Sequence, residues 1–569
     1  MHTECAVVKS YDYRSAFSFR IEDRLAARGA ALVAKALRQT ATGGMPLSQN
    51  EILESGLTLN QFYNIAIQFT PQFFSLVQAN PREKVRRPYD TWHGFIPFGS
   101  WDTYTESTRN LEKALTRITA ARENELLLLR ANKRATRHIF RDRGVGSLRK
   151  AVFGVIKDRL RQSLLVLEDN MTEQIKYALA PHQKRKIRVQ AITQLITDCE
   201  LFGIFTTKVK GKLKLYEKAK FGKYPRLIGD FSTPGSLLAG YLCEIAKNCF
   251  KDVTVRGTKF SFIKSIEPEI LDAVGEELLQ PGNAFFYHSD DSIHRVSGKI
   301  FELDISSCDM SNSRGVFQVV EWLFDSNPQF HNCIIGAVKQ CQLPLKISDP
   351  LTNQSARFKP NSPTEFSGTV LTTLLNNIAS LLIALQLHCD GARTVEEVKR
   401  SAASVGYIVT AEERPSLLKS QFLKHSWEIQ DGNPKSFLNL GCILRSFGTC
   451  TGDLPGHGDV DARSREWCAA VLQGYVHSGQ TSLLEKLNSI YPSSTNSRTI
   501  SENMLHKHSC VSRRGPISDE AICERYGFSQ AAWEHFLSLI EHGVVVHHSV
   551  LDAIYKADYG LDPLTKANV

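Results

Sequence analysis

Apolar and polar positions along the chain follow two rhythms, and the switch between them marks out the elements. Over residues 1–200, stretches rich in Arg, Glu, Leu and Ala carry Leu126–Leu129 and Leu164–Leu167 with few Gly or Pro, which predicts mainly helix. Pro81–Trp101 breaks this pattern with Pro, Gly and aromatic residues and reads as an irregular loop. From residue 205 to 235 the period shortens to two. Thr206-Thr207-Lys208-Val209-Lys210 and Lys212-Leu213-Lys214-Leu215-Tyr216 alternate as half-buried strands do. A hairpin is expected over 284–305: Ala284-Phe285-Phe286-Tyr287 enters a turn at Ser289-Asp290-Asp291-Ser292, apolar character resumes at Ile293, and Lys299-Ile300-Phe301-Glu302-Leu303 forms a later strand. Val316, Val319, Val320, Leu323 and Phe324 have helical spacing, residues 343–360 suggest a second hairpin around Asp349-Pro350, and a helix is expected from about Thr369 to Leu387. Antiparallel hairpins mixed with helices argue for an α+β core flanked by helical regions.

Composition narrows the class. A chain of 569 residues, 42% hydrophobic and 22% charged, is an ordinary globular one with room for more than one core. No apolar run reaches the ~18 residues of a membrane span; Ile378–Leu387, the longest, suits a buried helix. The start, Met1-His2-Thr3-Glu4-Cys5, has no basic-then-apolar signal pattern, so a cytosolic location is expected. The 13 cysteines include no C-x-x-C pair, which argues against a disulfide framework and a structural zinc site; His506-Lys507-His508-Ser509-Cys510 is the nearest approach to a metal cluster. The net charge of +10 is uneven: residues 101–230 hold 28 Lys+Arg against 14 Asp+Glu, a surplus of 14 that leaves −4 for the rest. A basic segment of that weight suits a polyanionic partner, because neutralising phosphates releases counterions.

Three segments carry chemistry. In Phe301-Glu302-Leu303-Asp304-Ile305-Ser306-Ser307-Cys308-Asp309, an apolar strand ends in two carboxylates five positions apart. Phosphoryl transfer needs acids so placed, because Mg²⁺ is held by a few carboxylates plus substrate phosphates; capping of the following helix is the alternative for Asp309. Asp290-Asp291 is the chain's one Asp-Asp pair and sits between apolar strands, where like charges repel unless a cation is present. In Ser367-Gly368-Thr369-Val370-Leu371-Thr372-Thr373-Leu374-Leu375-Asn376-Asn377, Gly368 gives a flexible entry to a helix, and Gly368, Thr372 and Asn376 are expected on one helical face.

These segments resemble the motifs of viral RNA-dependent RNA polymerases. S-G-x-x-x-T-x-x-x-N from Ser367 to Asn376 resembles motif B, D-x-x-x-x-D at Asp304 and Asp309 resembles motif A, and the Ser-Asp-Asp hairpin resembles motif C, more often Gly-Asp-Asp. Lys212–Arg226 with Lys214, Glu217, Lys218 and the ending Pro225-Arg226-Leu227-Ile228 resembles the basic motif F. Ala403–Thr410 resembles motif D, and Phe422-Leu423-Lys424 resembles motif E. The resemblance covers residues 206–430. Its order departs from the common one: no Asp-Asp pair lies between Asn377 and Gly406, and Asp290 precedes Asp304 by fourteen positions. This looks like the permuted C-A-B palm of birnaviruses and permutotetraviruses.

The resemblance implies a right-hand fold: an N-terminal extension and part of the fingers over 1–205, fingers over 206–283, palm over 284–428 with a fingers hairpin at 343–366, and thumb and tail over 429–569. It implies that Asp290 and Asp304 bind two Mg²⁺ (or Mn²⁺) ions with Asp291 assisting. Asp309 and Asn376 would recognise the ribose 2′-hydroxyl, ordered by Ser367 and Thr372. Arg226, Lys214, Lys218 and Lys220 would meet the incoming triphosphate. The general acid is in doubt, since Arg414 stands where a Lys is usual and holds its proton too tightly; Lys419 is the substitute. The implied partners are template and nascent RNA, nucleoside triphosphates and other viral proteins, in the host cytoplasm or a virion. Two rivals stand beside this reading. One is a split polymerase with its motif C on another chain; the other is a non-catalytic RNA-binding protein using the helix pair expected over Ser518–Gly543.

Overall fold

The computed structural model describes residues 125–140, 145–169, 209–213, 227–230, 234–348, 355–446, 449–451, 460–475, 478–479, 481–504, 515–541 and 548–559, with residues 32, 54 and 86–88 before them. The chain divides into two compact units, one built on residues 111–214 and 226–423, the other on residues 1–110, 215–225 and 424–569.

Among the described residues the first unit opens with helices α1 (Glu125–Arg137) and α2 (Val145–Asp169), which contain the two leucine runs expected to be helical. Strands β1 (Val209–Leu213) and β2 (Leu227–Asp230) pair antiparallel, and α3 (Pro234–Asn248) follows. Next come β3 (Val253–Val255), β4 (Thr258–Phe262) and α4 (Pro268–Leu279). A meander of β5 (Ala284–His288), β6 (Asp291–Val296) and β7 (Lys299–Ile305) leads into α5 (Cys308–Ser311), α6 (Arg314–Leu323) and α7 (Pro328–Gln340). The expected second hairpin is present as β8 (Leu345–Ser348) paired antiparallel with β9 (Ser355–Phe358); Asp349 and Pro350 lie outside the described residues. Then come α8 (Thr372–Asp390), α9 (Val395–Ser404) and β10 (Val409–Arg414).

These strands make two sheets. The larger has the order β10-β7-β6-β5-β4-β3, antiparallel except for the parallel β4–β5 pair; the smaller has the order β9-β8-β1-β2 with β8 parallel to β1. β5 is apolar from Ala284 to Tyr287 because both its faces are covered there: Ala284, Phe285, Phe286 and Tyr287 are all buried. Helix α8 packs against β5 and β6 and against α2, α6 and α9. Its residues Leu374 to Leu385 are buried without a break, so it is a core helix on every side. By length and composition α8 could also cross a membrane, but 72% of it is buried inside protein.

Two boundaries differ from the sequence expectation. The turn between β5 and β6 has two residues, Ser289 and Asp290, because His288 pairs with Asp291 and Ser292 is already buried in β6. Helix α8 starts at Thr372, so Gly368 and Thr369 belong to the turn before it.

Helix α1 reaches this core through Asn132. Its Nδ2 donates to Val405 O (3.1 Å), and its Oδ1 accepts from Ser313 N (3.1 Å) and Ser313 Oγ (2.6 Å). The approach is close enough to need a glycine opposite: Gly406 has φ +96°, and a Cβ there would fall 2.5 Å from Leu128 O and from Asn132 Cβ.

In the second unit, β11 (His425–Gln430) and β12 (Asn433–Leu438) form a hairpin. Helices α10 (Leu440–Ser446), α11 (Val460–Gln473), α12 (Ser482–Ile490), α13 (Thr495–Met504), α14 (Asp519–Tyr526), α15 (Gln530–Glu541) and α16 (Ser549–Tyr559) follow. The helix pair expected over 518–543 is therefore present as α14 and α15. Trp533, Leu487, Leu484 and Tyr555 lie in the core of this unit. Buried Asp558 fastens α16 by accepting from Gly441 N (2.8 Å), Tyr526 OH (2.9 Å) and Arg525 (3.2 Å). Arg86–Pro88 pairs with Thr449–Thr451; the rest of the loop read over 81–101 lies outside the described residues.

Candidate active site

The meander brings three carboxylates to one end of the larger sheet. Asp291 opens β6 directly opposite Asp304 on the neighbouring β7, and Ile305 N donates to Asp290 O (3.2 Å). One oxygen from each of Asp290, Asp291 and Asp304 lies within 4.8 Å of the other two. Asp290 is half-buried and Asp291 exposed, so the cluster is open to solvent. His294, three residues on in β6, adds no positive charge: burial pushes its pKa down to about 3, and neither ring nitrogen is hydrogen-bonded. Three oxygen donors at this separation are the set a hard divalent cation takes, and the repulsion among them falls when one binds.

The turn that carries Asp290 is held from α8. Ser289 has φ +58°, the positive value required at the first central residue of a two-residue II′ hairpin, where glycine is favoured. A side chain in that region costs about 1–2 kcal/mol. Three residues of α8 hold it there. Ser289 N donates to Asn377 Oδ1 (2.8 Å), Ser289 O accepts from Ser380 Oγ, and Ser289 Oγ lies 3.1 Å from the side-chain amide of Asn376. Asn377→Ala is therefore expected to lower turnover about tenfold, since losing one buried partner costs about 1–3 kcal/mol. The check is the rate of any metal-dependent reaction at the carboxylates, read beside the melting temperature.

The residues of the S-G-x-x-x-T-x-x-x-N segment divide into two jobs. Asn376 faces the Ser289 turn. Ser367 is anchored by its backbone, accepting from Gly229 N (2.9 Å) and bridging to Ile228 on β2. Gly368 has φ +95°, and a Cβ there would lie 2.9 Å from Gly229 O and from Ile228 Cγ2. Thr372 Oγ1 donates to Phe366 O (3.2 Å), tying the first turn of α8 back to the segment before it. Thr372 thus shapes the loop, and Gly368 does not share a helical face with it, because the helix has not yet begun.

Asp309 lies in the short helix α5, where its Oδ1 accepts from Met310 N (2.9 Å). Beside it is a buried polar group that the sequence did not reveal. Asn312 Nδ2 donates to Glu365 Oε2 (2.7 Å), Tyr407 OH donates to Asn312 Oδ1 (2.7 Å), and the amides of Asn312 and Asn376 lie 3.3 Å apart. Glu365 and Tyr407 are fully buried. Burial pushes the Glu365 carboxyl well above its usual range, and the nearby Asp309 adds to the effect. Burial also raises the Tyr407 hydroxyl well above its usual value. Asn377 and Ser380, also missed, had left one signal: Ser380 follows Asn376 by four positions inside an otherwise apolar helix, which puts both on one face.

Of the candidate general acids, Arg414 lies along β7 away from the cluster. Arg414 pairs across with Ile300, four positions along β7 from Asp304, or roughly 13 Å at strand rise. There its Nε donates to Glu302 Oε2 (2.8 Å), with Glu412 as a second partner. Lys419 closes the short 3-10 turn Leu417–Lys419, and two residues later Gln421 N donates to Glu302 Oε1 (2.6 Å). Lys214, Lys218, Lys220 and Arg226 lie outside the described residues, as does the cluster at 506–510. The strands on either side of the basic stretch, β1 and β2, pair with each other, and β2 is the strand that meets Ser367.

No family model matches the sequence, and no curated protein matches it. Among solved structures, one similar chain comes from the X-ray structure of the birnavirus VP1-VP3 complex, with 12% sequence identity and a TM-score of 0.37. The likeness covers 52% of this chain and 45% of that one, so the match spans less than half of its length. A likeness of that size is distant and carries nothing about activity.

Proposed function

We propose that this chain is a viral RNA-dependent RNA polymerase with palm motifs in the order C-A-B, joining nucleoside triphosphates to an RNA 3′-hydroxyl on an RNA template. The observation that carries the reading is the gathering of Asp290, Asp291 and Asp304 within 4.8 Å at the end of one sheet, next to the Asn376 helix. Carboxylates contributed by adjacent strands β6 and β7 and by the turn before β6 need no second chain to complete the set, which favours this reading over a split polymerase.

Asp290 and Asp304 would hold the ions, with Asp291 assisting. Bound Mg²⁺ or Mn²⁺ supplies a lowered pKa for the primer hydroxyl and charge neutralisation for the triphosphate. The chain's own residues do the rest. The Ser289 turn keeps Asp290 against β7. Asp309 and Asn376 offer an acceptor and an amide to the ribose 2′-hydroxyl, and a site built to bond that hydroxyl rejects a nucleotide lacking it. Ser367 and Thr372 hold the loop on which this depends. Arg226, with Lys214, Lys218 and Lys220, would pair with phosphate oxygens, the first as a planar fork. Arg414, engaged with Glu302 and unable to give up its proton readily, leaves Lys419 as the candidate general acid. The basic stretch over 101–230 would bind the RNA backbone without reading its sequence. Other viral proteins are proposed partners, and the host cytoplasm or a virion the proposed location.

The test is incorporation of labelled nucleotide into a short primed RNA by the purified full chain. Extension is expected with Mg²⁺ or Mn²⁺ and none with a chelator. RNA binding without extension under every metal condition would overturn the reading in favour of a binding protein.

A further inference from the structure

Outside the proposed metal set, Glu365 is a buried carboxyl in contact with Asn376. It lies two residues before Ser367, is fully buried, and belongs to none of the motif-like segments. Its Oε2 accepts from Asn312 Nδ2 (2.7 Å). Its Oε1 lies 2.8 Å from one atom of the Asn376 amide, whose other atom is 3.1 Å from Ser289 Oγ. An amide has one end that donates and one that accepts, so whatever Glu365 requires of the near end fixes what the far end offers.

We infer that Glu365 is a positioning residue for sugar selection: it sets which end of the Asn376 amide faces the Ser289 turn and the incoming ribose. The inference rests on the polymerase reading and deepens it.

Burial holds the Glu365 carboxyl well above the ordinary carboxylate range, with Asp309 and then Asp290 contributing in the same direction. Burial thus favours the protonated form of the carboxyl. In that form it donates from Oε1 to Asn376 Oδ1 while Oε2 accepts from Asn312, and Asn376 Nδ2 faces Ser289 Oγ; an ionised carboxylate would instead draw Asn376 Nδ2 to itself and leave Oδ1 facing Ser289. A donor and an acceptor side by side can bond a hydroxyl twice, and a 2′-deoxy sugar satisfies neither. Tyr407 OH, donating to Asn312 Oδ1 (2.7 Å), fixes the Asn312 amide so that its Nδ2 faces Glu365. Glutamine reproduces a protonated glutamate here, with one acceptor for Asn312 and one donor for Asn376. Methionine has similar length and offers neither.

The experiment compares kcat/KM for a nucleoside triphosphate and its 2′-deoxy counterpart in primed extension by the full chain, for the parent, Glu365→Gln, Glu365→Met and Tyr407→Phe. Glu365→Met is expected to reduce the ribose preference about tenfold, through a higher KM for the ribonucleotide, with deoxynucleotide use unchanged. Glu365→Gln is expected to keep the preference within about twofold of the parent. An unchanged preference in Glu365→Met, or an equal loss in Glu365→Gln, overturns the inference. Should Glu365→Met not fold, Tyr407→Phe decides it: a reduced preference supports the arrangement, and an unchanged one overturns it. A parent that extends no primer removes the polymerase reading itself, and this inference with it; an active parent with indifferent variants removes the inference alone.

Discussion

Gly368→Ala is expected to lower nucleotide incorporation by about a hundredfold while leaving the protein folded. Two independent penalties meet at this residue. Its φ of +95° is one that side chains rarely adopt, and the added Cβ would stand 2.9 Å from Gly229 O and from Ile228 Cγ2, closer than real contacts allow. Backbone oxygen cannot move aside as a flexible side chain can, so the loop must leave β2. The hydrogen bond from Gly229 N to Ser367 O (2.9 Å) would open with it, and Glu365, two residues earlier, would shift relative to Asn376. A misplacement near 1 Å at positioning residues costs on the order of 10²-fold. Since α8 and the core below it start four residues later, the melting temperature should fall by only a few degrees. Primer-extension rates beside a melting curve check this; a variant within twofold of the parent would mean that the close approach of β2 is dispensable.

What the sequence made legible, and what it hid, follows from how far apart the interacting residues lie. The Asp290-Asp291 turn and the strand before Asp304 could be read because alternating apolar residues on either side are a local signal. The extent of the turn could not. Asp291 and Ser292 look like turn residues by composition, yet they pair with Asp304 and Leu303, and that cross-strand register decides where β6 begins. The start of α8 was read three residues early for a similar reason. Gly368 and Thr369 fit a helical spacing, but the bond between Ser367 and Gly229 draws the chain aside before the helix can form. Glu365, Asn312 and Tyr407 meet across separations of 53 and 95 residues, with no periodicity to announce them. Asn132 and Gly406 are likewise joined through distant contacts that no local pattern carries. The basic residues read as a nucleotide channel lie outside the described residues.

The largest expected effect belongs to the carboxylates. Asp290→Asn and Asp304→Asn each replace a charged oxygen ligand with a neutral amide of the same size, so packing and backbone contacts are kept. Each removes one charge from a set whose proposed task is to hold divalent ions beside a triphosphate. That stabilisation is worth several kcal/mol, and each variant should therefore extend primers on the order of 10³-fold more slowly. The melting temperature should hold or rise, because the acids crowd one another within 4.8 Å and the variants relieve that repulsion when no ion is bound. The two positions test different things. Asp304 follows the common strand-end pattern, whereas Asp290 precedes it in the chain and acts at the same site only if the permuted order is real.

The most direct measurement is therefore metal-dependent extension of a primed RNA by the full chain and by Asp290→Asn, side by side. The expected result is extension by the parent and almost none by a folded Asp290→Asn. Extension by Asp290→Asn at the parent's rate, with Asp304→Asn inactive, would contradict the permuted site and place the missing acids elsewhere.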